Sequence, residues 1–230
     1  MIQCIDLRIE QGDFRLSGVD FRIETGEYAC LMGKTGSGKT TILEAVCGLR
    51  NLQGGKILVD ERDITQLKPA ERGIGFVPQD AALFTTMTVR ENMGFALKIR
   101  KWSKKAIDTR AEELAELLDI SHLLNRKPKG LSGGEKQRVA IGRALSFYPS
   151  VICLDEPLSA LDDSTKQELY QLIYRLRKDI QITALHITHA LDEVRNLADK
   201  VLYLHQGKLQ AHPLSDFLQI EKHFMAKEER

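Results

Sequence analysis

Residues 33–40 read Gly33-Lys34-Thr35-Gly36-Ser37-Gly38-Lys39-Thr40, which fits the pattern GxxxxGK followed by Ser or Thr. An apolar run, Tyr28-Ala29-Cys30-Leu31-Met32, precedes this loop, and a helical pattern from about Lys39 to Cys47 follows it. Glycines let several backbone N–H groups converge on one point, and the helix N-terminus there favours negative charge. The stretch therefore predicts a phosphate-binding loop between a buried strand and a helix, which indicates an α/β fold.

The loop supplies most of the candidate nucleotide ligands. Lys39 is expected to reach the β- and γ-phosphates of ATP, and Thr40 to ligate Mg²⁺. The complete set of candidate cofactor-binding residues in this region is Gly33, Lys34, Thr35, Gly36, Ser37, Gly38, Lys39, Thr40 and Thr41.

A second apolar run, Val151–Leu154, ends in two carboxylates. Adjacent side chains at the end of a strand point to opposite sides of the chain. We therefore predict that Asp155 faces the metal, and that Glu156 faces the water beyond the γ-phosphate and acts as the general base.

Other patterns outline the remaining organisation. Ile5, Leu7 and Ile9 alternate as in a half-buried strand. From about Val89 to Leu124 the pattern is helical and interrupts the alternation of strands and helices. Ser164 and Gln167 resemble a capping box at the start of a later helix.

Composition excludes several classes of protein. Lys plus Arg (33) nearly balances Asp plus Glu (32), which is unlike the basic excess of nucleic-acid binders. The sequence lacks both the ~20-residue apolar run of a membrane span and the pattern of a signal peptide, so we expect a cytosolic chain. The four cysteines are expected to be small buried hydrophobic residues rather than a disulfide or metal site: Cys4, Cys30, Cys47 and Cys153. The basic run Lys98–Lys105 is typical of a solvated helix start, with a lipid or nucleic-acid patch as the alternative.

A glycine turn, Leu131-Ser132-Gly133-Gly134-Glu135, precedes another helical pattern. Taken alone, it is either an ordinary helix N-cap or an anion site. In the order loop 33–40, Leu131–Glu135 and Asp155–Glu156, these elements resemble the nucleotide-binding subunit of an ATP-binding-cassette (ABC) transporter. Leu131–Glu135 matches the LSGGE signature of that family, continued by Lys136-Gln137-Arg138.

Three further segments match the family in the same order. Gln79 matches the Q-loop glutamine, Ser159–Asp162 the D-loop, and His189 the switch histidine. The resemblance implies that Gln79 helps to place Mg²⁺ and water, which adds it to Thr40 and Asp155 as a metal residue. It implies that His189 aligns the γ-phosphate and the attacking water with Glu156. His186 and His189 also form an HxxH pair, but nothing else in the sequence suggests zinc.

The resemblance further implies a head-to-tail dimer, by default a homodimer, with two ATP molecules at its interface. Ser132, Gly133 and Gly134 would contact the γ-phosphate that is bound to the other chain. The implied fold is a P-loop NTPase core with a mainly parallel sheet, an N-terminal antiparallel β subdomain and an inserted α-helical subdomain. The expected division is a single ABC domain over 1–230, with core and β subdomain at 1–80 and 150–230, and the helical subdomain at 81–149.

Two features of the nucleotide and partner contacts stay open. The family usually places an aromatic residue on the adenine ring where this chain has Gln11, and Phe14 is either its substitute or part of the core. A group of four apolar residues either lines a groove for a helix of a membrane subunit or belongs to the core of the helical lobe: Leu83, Phe84, Met87 and Val89.

Several stretches resemble importer ATPases more than exporter ATPases, among them Pro69–Gly75 and Met87–Asn92. Gly26-Glu27-Tyr28 and His186–His189 with Asp192-Glu193 look most like the ATPases of molybdate, tungstate or sulfate importers. The implied function is an ATPase that powers import of such an oxyanion at the cytoplasmic face of the membrane. Its partners would be permease subunits and, indirectly, a solute-binding protein, without nucleic acid. We expect no C-terminal regulatory domain. The alternatives are another transporter type or a non-transport ABC ATPase.

Overall fold

The computed structural model describes residues 1–12 and 14–220. The strands in this part of the chain are β1 (Ile2–Gln11), β2 (Phe14–Ile23), β3 (Tyr28–Met32), β4 (Gly54–Val59), β5 (Arg62–Asp63), β6 (Ile74–Val77), β7 (Val151–Asp155), β8 (Thr183–Ile187), β9 (Lys200–His205) and β10 (Lys208–Pro213). The α-helices are α1 (Lys39–Cys47), α2 (Val89–Ile99), α3 (Lys104–Leu117), α4 (Gly133–Leu145), α5 (Asp163–Ile180) and α6 (Leu191–Leu197).

The larger sheet has six strands in the order β10-β9-β3-β8-β7-β6. All its neighbours are parallel except β10, which pairs antiparallel with β9. Strand β3 lies inside this sheet and is buried along its whole length. Tyr28, Cys30 and Met32 pack into the core on one face, while Ala29 and Leu31 pack into the core on the other. This arrangement confirms the predicted α/β fold with a mainly parallel sheet.

The smaller sheet is antiparallel, in the order β2-β1-β4-β5, and confirms the predicted N-terminal β region. The predicted inward alternation of β1 is wrong at Ile5, which is 38% exposed, whereas Leu7 and Ile9 are buried. Asp6 has a φ of 45°, and the pairing register shifts between Cys4 and Leu7. This bulge reverses the facing of the residues that precede it, so Cys4 rather than Ile5 points into the core.

Along the sequence, helices α2, α3 and α4 all come between β6 and β7, two strands that are neighbours in the sheet. The helical pattern predicted this interruption. Ser103 caps α3 by accepting a hydrogen bond from Ala106 N at 3.3 Å. On the inner face of α3, Ala111 and Leu114 are buried together with Leu118 just beyond the helix. The boundaries 1–80, 81–149 and 150–230 stay a prediction.

The cap of α5 differs from the prediction. Asp162, not Ser164, is the N-cap, and its Oδ1 accepts a hydrogen bond from Thr165 N at 3.0 Å. Ser164 lies inside the first turn and donates its hydroxyl to the same carboxylate. The hydrogen bonds from Ser164 and Thr165 hold the pKa of Asp162 well below its usual range. The stronger local acceptor therefore decides where the helix begins.

The end of α1 rests on a buried guanidinium. Arg72 donates to the carbonyl oxygens of Ala45 at 2.8 Å and Val46 at 2.9 Å, which are among the last carbonyls of the helix. Such carbonyls have no partner inside a helix, so Arg72 fixes the helix that follows the glycine loop. The four cysteines are all buried, as predicted: Cys4, Cys30, Cys47 and Cys153.

None of the helices within residues 1–12 and 14–220 combines the length and the apolar content that crossing a bilayer requires.

Candidate nucleotide site

Four neighbouring strands of the large sheet end at one edge. The glycine loop follows β3, His189 lies just beyond β8, Asp155 ends β7, and Gln79 lies just beyond β6. Parallel strands present their carboxyl ends on the same side, and ligands bind in the crevice there. A cavity of about 510 Å³ at this edge is lined by Gly33, Lys34, Thr35, Gln79, Glu156 and His189. Residues that are far apart in the sequence thus meet at one site.

The loop needs glycine at two of its positions. Gly33 has a φ of 143°, and a Cβ there would overlap the carbonyl oxygen of Leu204 in β9. Gly38 has a φ of 105°, and a Cβ there would lie 2.5 Å from Cζ of Phe14. Both residues combine a left-handed backbone with a close approach that any side chain would block. The loop is therefore held between β9 and β2.

Polar groups inside the loop suit a phosphate ligand. The Lys39 side chain is buried and donates from Nζ to the carbonyl oxygens of Gly33 at 2.7 Å and Lys34 at 3.1 Å. Ser37 Oγ is buried without a hydrogen-bond partner among the described residues. A buried polar group without a partner costs about 1–3 kcal/mol. A phosphate oxygen would accept from both side chains, so the residues present fit a nucleotide.

Oxygen ligands for a hard cation lie beside the loop. Thr40 Oγ1 donates to Asp155 Oδ1 at 3.3 Å. Burial raises the pKa of Asp155, the carboxylates of Glu156 and Glu44 add to the rise, and Thr40 and Lys39 oppose it. A cation beside Asp155 would remove this penalty by stabilising the charged form. Mg²⁺ typically takes one or two protein oxygens together with substrate phosphates and water, and the Thr40–Asp155 pair fits that pattern.

Glu156 stands beyond the end of β7 in a left-handed conformation with a φ of 44°. Its N–H donates to Ile187 O at 3.1 Å, which anchors this turn to β8. Its Oε2 lies 3.5 Å from Nδ1 of His189, whose side chain is 65% exposed. Glu156 lies outside β7, so strand alternation does not set the direction of its side chain. It lines both cavities at the loop, whereas Asp155 lines neither.

A buried polar chain supports the segment that carries His189. Tyr28 Oη and His186 Nδ1 are 2.8 Å apart, and His186 Nε2 lies 3.2 Å from Glu193 Oε2. Burial alone would raise the pKa of Glu193, but His186 and a hydrogen bond from Thr188 outweigh it and lower that pKa. His186 is therefore a buried partner of Tyr28 and Glu193. The sequence analysis missed Tyr28 and Glu193, because no motif links an apolar strand to a short helix so distant in the chain.

Phe14 is the candidate for the aromatic contact with adenine. A second cavity of about 300 Å³ lies on the outer side of the loop. Phe14 and Gln11 both line it, and Phe14 also packs partly buried against the core. The other residues of this cavity are Thr35, Gly36, Gly38, Lys39, Thr40, Thr41 and Glu156. Phe14 is thus both a core contact and a wall of the cavity, so the two alternatives are compatible.

The Leu131–Glu135 turn lies apart from these cavities. Ser132 is the N-cap of α4 and accepts from Glu135 N at 3.1 Å, while Glu135 Oε2 accepts from Ser132 N at 2.7 Å. Added Cβ atoms at Gly133 and Gly134 would meet Leu161 and Thr165 respectively. Neither cavity at the loop is lined by Ser132, Gly133 or Gly134. Ser132 and Gly133 are exposed, so the N-terminus of α4 faces outward.

Comparisons with known proteins agree with these features. The sequence profile of the ABC transporter family matches residues 16–159. The chain is 45% identical over 197 residues to the molybdate/tungstate import ATP-binding protein WtpC of Thermococcus kodakarensis, covering 86% of this chain and 60% of that protein. It is 41% identical over 210 residues to the sulfate/thiosulfate import ATP-binding protein CysA of Mycobacterium bovis, covering 91% and 60%. The chain therefore spans about three fifths of the length of these curated relatives.

Solved structures show the same architecture. The ABC cassette MJ0796, in a dimeric post-hydrolysis state bound to ADP and Pi, matches with a TM-score of 0.81 and 30% identity over 93% of this chain and 99% of that one. A nucleotide-free ATP-binding cassette from an ABC transporter matches with a TM-score of 0.86 and 27% identity, over 98% and 95%. The predicted resemblance is confirmed by sequence and by fold: this chain belongs to the ABC transporter family.

Proposed function

We propose that this chain is the ATP-binding and ATP-hydrolysing subunit of an ABC importer. The observation that carries this proposal is the meeting of the glycine loop, Gln79, Asp155, Glu156 and His189 at the ends of four adjacent strands. Each of these groups suits one part of phosphoryl transfer to water. Catalysis of that reaction depends on positioning and electrostatic stabilisation, which a preformed edge of this kind supplies.

The residues divide the work as follows. Lys39 and the loop N–H groups hold the β- and γ-phosphates of ATP, aided by Ser37 and by Thr41, next to Thr40 in the nucleotide cavity. Thr40 and Asp155 would hold Mg²⁺, with Gln79, which lines the larger cavity, as a further oxygen ligand. The cation supplies electrostatic stabilisation of the phosphate oxygens.

Glu156 is the general base in this proposal. Its carboxylate reaches the cavity from a turn fixed by Ile187 O, and His189 lies 3.5 Å away on the same side. Glu156 would take the proton of the attacking water, while His189 would hold the γ-phosphate in line. His186, three residues before His189, is anchored by its buried contacts with Tyr28 and Glu193.

The site would be completed by a second copy of the chain. Ser132 and Gly133 are exposed at the N-terminus of α4, with Gly134 buried next to them, and backbone N–H groups and the helix dipole favour an anion there. In a head-to-tail homodimer, this turn would meet the γ-phosphate held by Lys39 of the other copy. The dimeric state of the MJ0796 cassette supports this arrangement.

The helical region, which we propose as a subdomain over 81–149, offers a surface for a permease. Of the four apolar residues singled out by sequence, Val89 is buried and Leu83 packs partly buried against the core. Phe84 is 37% exposed, and Met87 lines a cleft of about 380 Å³ together with Phe95 of α2. Val89 and Leu83 thus belong to the core, whereas Phe84 and Met87 are available to a partner. We propose that Phe84, Met87 and this cleft receive a helix of the permease at the cytoplasmic face of the membrane.

The substrate class rests on the relatives, whose names specify molybdate/tungstate and sulfate/thiosulfate import. We therefore propose a tetrahedral oxyanion as the transported substrate, delivered to the permease by a solute-binding protein.

The proposal is tested by co-expressing the chain with a candidate permease and reconstituting the complex in vesicles with the matching solute-binding protein. We expect Mg²⁺-dependent ATP hydrolysis that is stimulated by molybdate, tungstate or sulfate and is abolished by a chelator. Hydrolysis without stimulation by any of the three oxyanions would overturn the substrate class. Failure of the purified chain to hydrolyse ATP, both alone and in the complex, would overturn the proposed ATPase activity.

A further inference from the structure

Five exposed basic side chains surround the turn between α2 and α3: Lys98, Arg100, Lys101, Lys104 and Lys105. Within the described ranges, 1–12 and 14–220, none of them forms an ion pair with a carboxylate. Three of the four acids of α3 pair with arginines instead: Arg90 pairs with Asp108 and Glu112, and Arg110 pairs with Glu113. A local excess of positive charge therefore remains at this turn, although the whole chain carries a formal net charge of only +1.

The same turn presents large apolar side chains to solvent. Lys101 has a φ of 60°, and Trp102 N donates to Leu97 O at 3.1 Å, so the chain reverses sharply after α2. This turn leaves Ile99 61% exposed and Trp102 39% exposed. Tyr148, which is 61% exposed, stacks beside Trp102 with 6.4 Å between ring centroids. Exposed rings and an aliphatic side chain thus stand among basic groups that form no ion pair with a carboxylate of the described residues.

We propose that this surface binds the headgroup region of an anionic lipid bilayer directly. We call it the basic aromatic surface, and its members are Lys98, Ile99, Arg100, Lys101, Trp102, Lys104, Lys105 and Tyr148. Clusters of Lys and Arg are attracted to anionic lipid headgroups, and Trp and Tyr favour the interfacial layer of a bilayer. The exposed Ile99 adds apolar area that can enter the acyl boundary.

The geometry favours a membrane over a single-stranded nucleic acid. Bases stack on free aromatic faces, whereas the Tyr148 ring is already covered by the Arg110 guanidinium at 3.7 Å and faced by Trp102. Ile99 offers a base no ring at all. Trp102 also lines the cleft that we propose for the permease helix, so the basic aromatic surface continues that cleft. The lipid contact goes beyond the proposed function, because it requires no permease and no nucleotide.

The chain itself supplies the reporter for a test. Trp102 is its single tryptophan, so intrinsic fluorescence observes this surface alone. Purified full-length chain is titrated with vesicles of phosphatidylcholine mixed with phosphatidylglycerol, and with vesicles of phosphatidylcholine only. We expect a blue shift of Trp102 emission and co-sedimentation with the anionic vesicles only, both weakened by salt.

Matched charge reversals then locate the contact. Replacing Lys101, Lys104 and Lys105 together by Glu should weaken co-sedimentation at least about tenfold. Replacing three exposed lysines elsewhere, Lys56, Lys178 and Lys208, by Glu gives the same change of net charge and should leave binding near the wild-type level. Lys104 also lines the cleft proposed for the permease, so hydrolysis is measured on the purified chain without permease. ATP hydrolysis under these conditions and the melting temperature should be unchanged in the first triple variant, which separates this proposal from the proposed function.

Three results would overturn the proposal. One is equal binding to anionic and neutral vesicles, and a second is an equal loss of binding in the two triple variants. The third is a blue shift that a single-stranded oligonucleotide produces at lower concentration than the anionic vesicles, which would assign the surface to nucleic acid instead.

Discussion

The glycine-loop edge and the N-terminus of α4 both suit an anion, yet they are built in opposite ways. The loop edge is concave: Lys39 is buried, Ser37 Oγ has no partner among the described residues, and four strands contribute groups to the cavity. The α4 terminus projects outward, and its capping side chains, Ser132 and Glu135, already satisfy each other. One region can hold a ligand by itself, whereas the other can only close over a ligand that is already held.

The largest expected effect comes from the concave half alone. Glu156→Gln removes the proposed general base but keeps the shape of the side chain, so ATP hydrolysis should fall about 100-fold to 10,000-fold. Binding of ATP should persist, and size-exclusion chromatography with ATP should show an accumulated dimer. The exposed Glu116→Gln on α3 serves as control and should hydrolyse ATP normally. Turnover above a tenth of the wild-type rate would contradict the role of Glu156.

The next variant changes only the exposed N-terminus of α4. Ser132→Asp keeps a strong N-cap for α4, but it places a carboxylate where the γ-phosphate of the other copy should arrive. Hydrolysis and ATP-driven dimerisation should fall at least about tenfold, because like charges at a desolvated contact cost several kcal/mol. The melting temperature should stay near that of the wild type.

Ser103→Asp is the matched control, since Ser103 caps α3 with the same geometry and lies outside the proposed site. Equal losses of hydrolysis in the two variants would refute a contact that is specific to Ser132.

Mixing the Glu156→Gln chain with the Ser132→Asp chain tests whether each site is built from two copies. A dimer of one Glu156→Gln chain and one Ser132→Asp chain keeps one intact site and places both defects in the other. Equal mixing should therefore recover about a quarter of wild-type hydrolysis if subunits pair at random and the sites act independently. A mixture that is no more active than the sum of its components would argue that each chain completes its own site.

Replacing a carboxylate should lower the free energy of unfolding more in the buried Tyr28–His186–Glu193 chain than at the N-terminus of α4. Glu193→Gln leaves His186 facing a weaker acceptor in the buried chain, and we expect a loss of about 1–3 kcal/mol. Glu135→Gln makes the same change in a partly exposed capping box, where Gln also serves, so its loss should be under about 0.5 kcal/mol. Urea unfolding at neutral pH measures both.

The sign of the pH dependence follows from the lowered pKa of Glu193. Its contribution to stability is present above the unfolded-state pKa and is lost as pH falls through the lower folded-state pKa. The gap in stability between wild type and Glu193→Gln should therefore narrow in acid. A gap that widens in acid would contradict the assignment.

The smallest effect belongs to the outer wall of the loop. Phe14→Ala should weaken ATP binding several-fold, because an aromatic contact contributes about 0.5–1.5 kcal/mol beyond its buried area. Phe84→Ala, at an exposed aromatic residue away from the loop cavities, should bind ATP like the wild type. Unchanged affinity of Phe14→Ala in a nucleotide titration would leave Phe14 as a core residue only.

Local signals predicted much of this fold. The strand before the loop, the helix Lys39–Cys47 and the strand that begins at Val151 lie where their patterns indicated, because each segment is bounded by Gly, Pro or polar residues. Prediction was wrong where one residue leaves the regular geometry. Asp6 adopts a positive φ that turns Ile5 outward, and Asp162 competes successfully with Ser164 for the helix cap.

The site was predictable as a set of residues but not as a geometry. Motif spacing identified Lys39, Asp155, Glu156 and His189, yet the left-handed turn at Glu156 depends on a hydrogen bond to Ile187 in another strand. The pairing of His186 with Tyr28 and Glu193 likewise joins three distant segments. Contacts of this kind depend on strand order, which local patterns do not carry.

The helical region connects two neighbouring strands at the margin of the large sheet, and this connection bears on how the region can be exchanged between related proteins. Strand β6 is an edge strand of the large sheet, and residues 78–150 connect it to β7, the strand beside it. The two strands pair directly, with Ile74 opposite Val151 and Val77 opposite Leu154. Both junctions therefore lie on neighbouring strands at one margin of the sheet, at opposite ends of these strands because β6 and β7 are parallel. The region can be replaced as a single block, in evolution or by grafting, without rethreading another strand. A grafted block would leave Lys39, Asp155, Glu156 and His189 in place, but it would have to supply its own equivalents of Gln79 and the Ser132–Gly134 turn.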